Sequence, residues 1–170
     1  MTATGRPPIA RAEGPDDLAA VRELLLEYAL GLSVDLGFEG FPEEVATLPG
    51  RYAPPGGALL LARDELGPVG CVGVRPFGPR EAEMKRLYVR PRARGEGLGR
   101  RLVEEALRAA AAAGYRALRL DTLPTMTAAT VLYLTLGFIE IPEYHRNPVP
   151  GTRYFRRALA DVRRSRGTPK

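Results

Sequence analysis

A single cysteine, Cys71, is all the thiol chemistry the chain offers; it excludes an intramolecular disulfide framework and suits a reducing compartment. One histidine, His145, with no companion cysteine excludes the common structural zinc patterns, and no metal is expected. No stretch approaches the roughly 18 apolar residues of a membrane span. Residues 1–11 also lack the apolar core of a signal peptide. A soluble cytoplasmic protein with no membrane partner is the expectation. Lysine is scarce as well, because 23 of the 25 basic residues are arginine.

What is present fits one compact domain. The 170 residues are 45% apolar and 26% charged, enough for a single buried core, so 1–160 is read as one domain and 161–170 as a basic, fraying tail. The net charge of +5 invites a nucleic-acid partner, but its distribution does not. Residues 1–152 hold 18 basic against 19 acidic side chains, and 153–170 hold 7 against 1. A basic end explains the charge without a groove-binding face, so no nucleic acid is expected. A homodimer is compatible with this composition.

Glycine and proline, 19 and 16 residues, cut the chain into short elements. Residues 9–12 read as a strand. Pro15, Asp16 and Asp17 then open a helix whose apolar face carries Leu18, Val21, Leu24, Leu25 and Tyr28 and which ends near Gly31. A short helix fits 43–48. Segments 58–63 and 69–74 form a hairpin, and 82–90 is a strand in which Met84 and Leu87 bracket Lys85 and Arg86, the interruption a bulge produces. The strongest helix is 97–113, closed by Gly114. Strand 117–120, a helix from Thr125 or Thr127 to Leu136, and strands 138–141 and 154–159 complete the order, with 142–151 a loop containing His145. Cys71, in an apolar strand, reads as core.

The chemistry concentrates between the third strand candidate and the strong helix, at Arg94-Gly95-Glu96-Gly97-Leu98-Gly99. Alternating glycines at a helix start let backbone N–H groups converge on an anion, and the helix dipole adds to the attraction. A phosphate-bearing ligand is expected. A Walker loop is excluded because no Gly-Lys-Ser/Thr follows, and a dinucleotide loop needs glycine where Arg100 stands.

Arg94, Gly97 and Gly99 match the Gln/Arg-x-x-Gly-x-Gly/Ala loop of the GNAT superfamily of N-acetyltransferases. Ala129, Leu132, Tyr133, Gly137 and Phe138 match its second signature, and the sequence resembles that family over 82–138. The resemblance implies an α+β fold: a mixed, mostly antiparallel sheet of about six or seven strands, splayed centrally at a bulge and flanked by about four helices. It implies acetyl-CoA as cosubstrate, held by Leu87, Tyr88 and Val89 of the splayed strand and by the loop Arg94, Gly95, Glu96, Gly97, Leu98, Gly99 and Arg100. It implies direct attack by a primary amine of a small molecule or peptide in a ternary complex. Tyr133 corresponds to the acid that protonates the leaving thiolate, and Glu83 to a glutamate that acts as base through water. Met126 stands where many members have an asparagine against pantetheine. A non-catalytic acyl-CoA sensor or assembly subunit is the alternative, against which the presence of both Tyr133 and Glu83 speaks.

The acceptor is approached from charge. Glu23, Glu27, Asp35, Glu39, Glu43 and Glu44 fall in residues 23–50, a stretch without lysine or arginine. The resemblance places this stretch on the acceptor side, so a cationic amine is expected.

Overall fold

The computed structural model describes residues 5–160, so the tail expected at 161–170 lies outside the described residues. One mixed sheet holds β1 (Ile9–Arg11), β2 (Ala58–Asp64), β3 (Gly67–Phe77), β4 (Glu81–Val89), β5 (Ala117–Thr122), β6 (Ile139–Ile141) and β7 (Arg153–Ala158), in the order β1-β2-β3-β4-β5-β7-β6. Only the β4–β5 pair is parallel. Helices α1 (Gly14–Leu30), α2 (Phe41–Ala46), α3 (Leu98–Ala112) and α4 (Thr127–Thr135) flank it. The α+β class and the splayed, mostly antiparallel sheet agree with the sequence reading. β3 runs further than the apolar stretch 69–74 because its polar ends still pair with β2 and β4.

The two faces of the sheet carry two apolar clusters. On one, α3 buries Leu102, Val103 and Ala106 against Leu60, Val72, Val74 and Met84. On the other, Leu24 and Leu25 of α1 and Phe41 and Val45 of α2 meet Leu59, Leu61 and Cys71. Each fully buried aliphatic side chain contributes about 1.5–3 kcal/mol, so these stripes fix the helices on the sheet. Cys71 is fully buried, and burial pushes its thiol pKa up to about 12, as suits a packing residue. Tyr52 crosses β3 so closely that a Cβ at Gly73 would lie 2.5 Å from its ring.

Two irregularities open the sheet. β4 and β5 pair only where Glu81, Ala82 and Glu83 face Ala117, Leu118 and Arg119. Beyond that point β4 keeps β3, β5 keeps β7, and the two part. On the β3 side Gly73 faces Lys85 and Cys71 faces Tyr88, so Val72 alone opposes Arg86 and Leu87. This is the bulge anticipated at Lys85-Arg86. Its extra residue, Arg86, takes φ 63°, the left-handed region that a non-glycine residue enters at a cost.

Candidate active site

The loop after β4 is shaped for an anion. Gly97, at φ 80°, turns the chain into α3, whose first intrahelical bond runs from the Arg101 N–H to the Gly97 carbonyl at 3.1 Å. The N–H groups of Leu98, Gly99 and Arg100 therefore have no helical acceptor, and no side chain caps them. Leu98 is buried in the core and offers only its backbone, while Arg100 donates along the helix to Glu104 at 3.2 Å. Glu96 is exposed. Arg94 donates from Nε to the Val89 carbonyl at 2.9 Å and lies 5.9 Å from the Tyr88 ring centroid, which fixes its guanidinium beside the loop. A Cβ added at Gly95 or Gly97 meets nothing within 4 Å, whereas one at Gly99 meets Leu132 and Val89 at 3.8 and 3.9 Å. The open side of the loop thus lies over Gly95 and Gly97, and the donor set fits a pyrophosphate.

This geometry separates the glycines. Gly97→Val, which strains the loop and projects into its open side, is expected to abolish the rise in Tm that acetyl-CoA causes. Gly99→Ala, whose Cβ faces the protein at ordinary contact distance, should keep most of that rise. Thermal denaturation with and without acetyl-CoA checks both, and an undiminished shift in Gly97→Val would remove the loop from the site.

Where β4 and β5 part, a cavity is walled by Lys85 and Leu87 of β4, Asp121 and Thr122 of β5, and Met126 and Tyr133 around α4. Tyr28, Glu39 and Asn147 close it from the other side. Tyr133 is held by Phe138 and Phe155, ring centroids 5.7 and 6.3 Å away. Among the described residues its hydroxyl has no protein hydrogen-bond partner. Burial, reinforced by Tyr28 and Asp121, pushes its phenol well above the usual tyrosine range, so it stays a proton donor. Thr122 was not singled out from the sequence: its Oγ1 is buried, lacks a partner, and belongs to a residue of the cavity wall. Of the β4 residues expected against the cosubstrate, Leu87 lines the cavity. Tyr88 turns its hydroxyl to Glu27 at 2.9 Å, and the Val89 carbonyl is taken by Arg94.

Part of the cavity wall is a buried charged cluster. Lys85 Nζ donates to Glu39 at 3.0 Å and to Asp121 at 3.2 Å. Arg86 donates to Glu44 at 2.8 and 3.3 Å and to Glu39 at 2.8 Å, over the Phe41 ring. Burial works to raise the Glu39 and Asp121 carboxyls, but Lys85, joined by Arg86 at Glu39 and His145 at Asp121, outweighs it and holds both below the usual carboxylate range. Glu83 is 3% exposed and lies outside the cavity wall. It accepts two bonds from Arg75, at 2.7 and 2.9 Å, and one from the Tyr144 hydroxyl at 2.8 Å.

These pairings correct the charge argument for the acceptor. Glu39 and Glu44 meet Lys85, Arg86 and Arg75, and Glu23 and Glu27 meet Arg90, so four of the six acids have partners on β3, within β4 or just after it, two of which are shared with Asp121 and Glu83. Asp35 caps its own turn at the Gly37 N–H. The segment is no free acidic surface. His145, read as plain loop, is also recruited: its Nε2 is 2.9 Å from Asp121 Oδ2, and its ring stands edge-on to Tyr144 and Tyr154.

Comparison with known proteins agrees with this geometry. The family model described as "Acetyltransferase (GNAT) family" matches residues 18–138. An uncharacterized N-acetyltransferase of Schizosaccharomyces pombe is 43% identical over 150 residues, covering 87% of this chain and 92% of that protein. An acetyltransferase structure from Streptococcus agalactiae superposes with TM-score 0.76 at 20% identity, over 91% of this chain and 99% of the other. A phosphinothricin acetyltransferase from Sinorhizobium meliloti, in complex with AcCoA, gives TM-score 0.70 at 20% identity, over 96% and 94%.

Proposed function

Because the chain belongs to the GNAT family of acetyltransferases and is an acetyl-CoA-dependent N-acetyltransferase, we propose that it acetylates a primary amine of a small molecule or peptide by direct attack in a ternary complex. The observation that carries this reading is Tyr133: a buried phenol with no hydrogen-bond partner among the described residues, on the wall of a cavity that begins where β4 leaves β5. The diphosphate of acetyl-CoA fits the free N–H groups at the start of α3, with Arg94 beside it. The arm then follows Leu87 into the splay. Thr122 stands in the same wall as Met126, with its Oγ1 buried and without a hydrogen-bond partner among the described residues.

An alkylamine near pKa 10.4 is almost wholly protonated at neutral pH, so a proton must leave before attack. Glu83 lies outside the cavity wall; its part is to hold Tyr144 and with it the loop carrying His145. Asp121 and Glu39 on the cavity wall attract the ammonium. With its imidazole neutral, His145, hydrogen-bonded to Asp121, gives the proton a way out of the cavity toward solvent. The neutral amine attacks the thioester carbonyl, the C–S bond breaks, and Tyr133 protonates the departing sulfur.

The test is release of CoA thiol from acetyl-CoA across amines, amino acids, polyamines, aminoglycosides and peptide N-termini. At least one class is expected to stimulate release over the amine-free rate, with the acetyl group recovered on its nitrogen. Since the acids of residues 23–50 are largely paired, added salt should change kcat/KM little. Acetyl recovered on oxygen would refute the amine assignment.

A further inference from the structure

Among the described residues the chain has one primary amine, Lys85, and it lines the cavity assigned to acetyl transfer. Basic residues here are otherwise arginine, 23 of 25 in the whole chain. Arginine is the better partner for buried carboxylates, with its planar fork and weaker hydration. What lysine adds is a nitrogen that can give up a proton and act as a nucleophile. We propose that Lys85 Nζ is itself an acetyl acceptor: supplied with acetyl-CoA and no other amine, the protein acetylates its own Lys85. The proposal rests on the assignment of this cavity as the transfer site.

The geometry supports it at three points. Lys85 precedes the cavity residue Leu87 by two positions, with the bulged Arg86 between them, and Tyr133 belongs to the same wall. Its side chain is 5% exposed, so reagents reach the nitrogen through the cavity rather than from open solvent. Nζ is held by Glu39 and Asp121 at 3.0 and 3.2 Å, the two carboxylates assigned to an incoming ammonium, so the lysine already sits as an acceptor would.

The step balances without a further reagent. Lys85 releases a proton to Asp121 and onward to His145 and solvent. Its lone pair forms the N–C bond to the acetyl carbonyl as the C–S bond breaks. The sulfur leaves with a proton from Tyr133, which the second Nζ proton replaces through solvent. The products are acetyl-lysine, CoA thiol and one proton. The resulting amide carries no charge, so self-acetylation leaves Glu39 to Arg86 and Asp121 to His145 and Asn147, with one cation fewer in the cavity wall.

The experiment is incubation of the intact protein with acetyl-CoA alone, followed by whole-protein mass and peptide mapping. Expected is one acetyl group per chain, on Lys85 ahead of Lys170 and the amino terminus, at a rate independent of protein concentration because the amine and its cavity belong to one molecule. Protein unfolded in urea should label Lys85 at least ~10-fold more slowly, since the effect comes from proximity and orientation. The acetyl-CoA-induced rise in Tm, measured on the same samples, reads the cosubstrate site separately. Lys85 left unmodified while that rise is present overturns the proposal and leaves the transfer site standing. Label spread evenly over the three amines, or formed as fast in urea, also overturns it.

Discussion

Tyr133→Phe is expected to lower kcat by about 10²-fold or more, while the Kd for acetyl-CoA and the Tm of the free protein hardly change. The reason is that the hydroxyl supports nothing else. The ring is fixed by Phe138 and Phe155, and phenylalanine preserves both contacts. Removing a hydroxyl without a protein partner leaves no buried acceptor stranded, so no packing or hydrogen-bond cost is expected. What is lost is a proton held ready in a dry cavity for a leaving thiolate. Steady-state kinetics by thiol release, with a binding isotherm for acetyl-CoA, separates the two effects. Equal kcat in the two proteins would return Tyr133 to a packing role.

The largest stability effect should come from Arg86. Its side chain is 3% exposed and neutralises Glu44 and Glu39, which are themselves largely buried. Arg86→Ala leaves Glu39 to Lys85 alone and Glu44 to Arg75 at 3.6 Å, and breaking a buried pair in this way costs roughly 3–5 kcal/mol, a fall in Tm on the order of 10 °C for a chain of this length. Arg86 also sits at φ 63°, where alanine is strained and glycine is not. Arg86→Gly should therefore be the more stable of the two variants by about 1 kcal/mol, the reverse of their usual order inside a strand. Chemical denaturation of both variants measures this. An alanine variant as stable as the parent, or more stable than the glycine variant, would contradict the account of the bulge.

How much of this could be read from the sequence followed the distance between interacting residues. The anion loop was legible because its glycines and its helix are contiguous, and Tyr133 because its signature spans one helix and the turn after it. The bulge was legible from two charged residues breaking an alternation. The charged cluster was not. Glu39 meets Lys85 and Glu44 meets Arg86 across 46 and 42 residues, and the partners join only once α2 is laid over the sheet. Within residues 23–50 the acids had no visible counterions, and a free acidic surface was the natural inference. The partners of Glu83 were hidden for the same reason: Arg75 on β3 and Tyr144 in a distant loop claim its oxygens. Nothing local marked His145, since its role depends on Asp121, on another strand.

The extra residue at Arg86 puts the two parts of β4 in antiphase. Up to the bulge, odd positions turn Glu83 and Lys85 toward the helices α1 and α2, while Ala82 and Met84 face α3. After it the parity reverses, so that Leu87 and Val89 join the α3 side and Tyr88 the α1 side. One strand thereby sends side chains of like parity into both apolar clusters while pairing with β3 along its length. A change of side chain at 83 or 85 is confined to the α1 and α2 side of the sheet. Deleting Arg86 would set Leu87 opposite Val72 and keep Leu87 and Tyr88 on their faces, at the loss of the bulge and of the bonds Arg86 makes to Glu39 and Glu44, whereas a deletion that kept the bulge would exchange the surroundings of every residue beyond it.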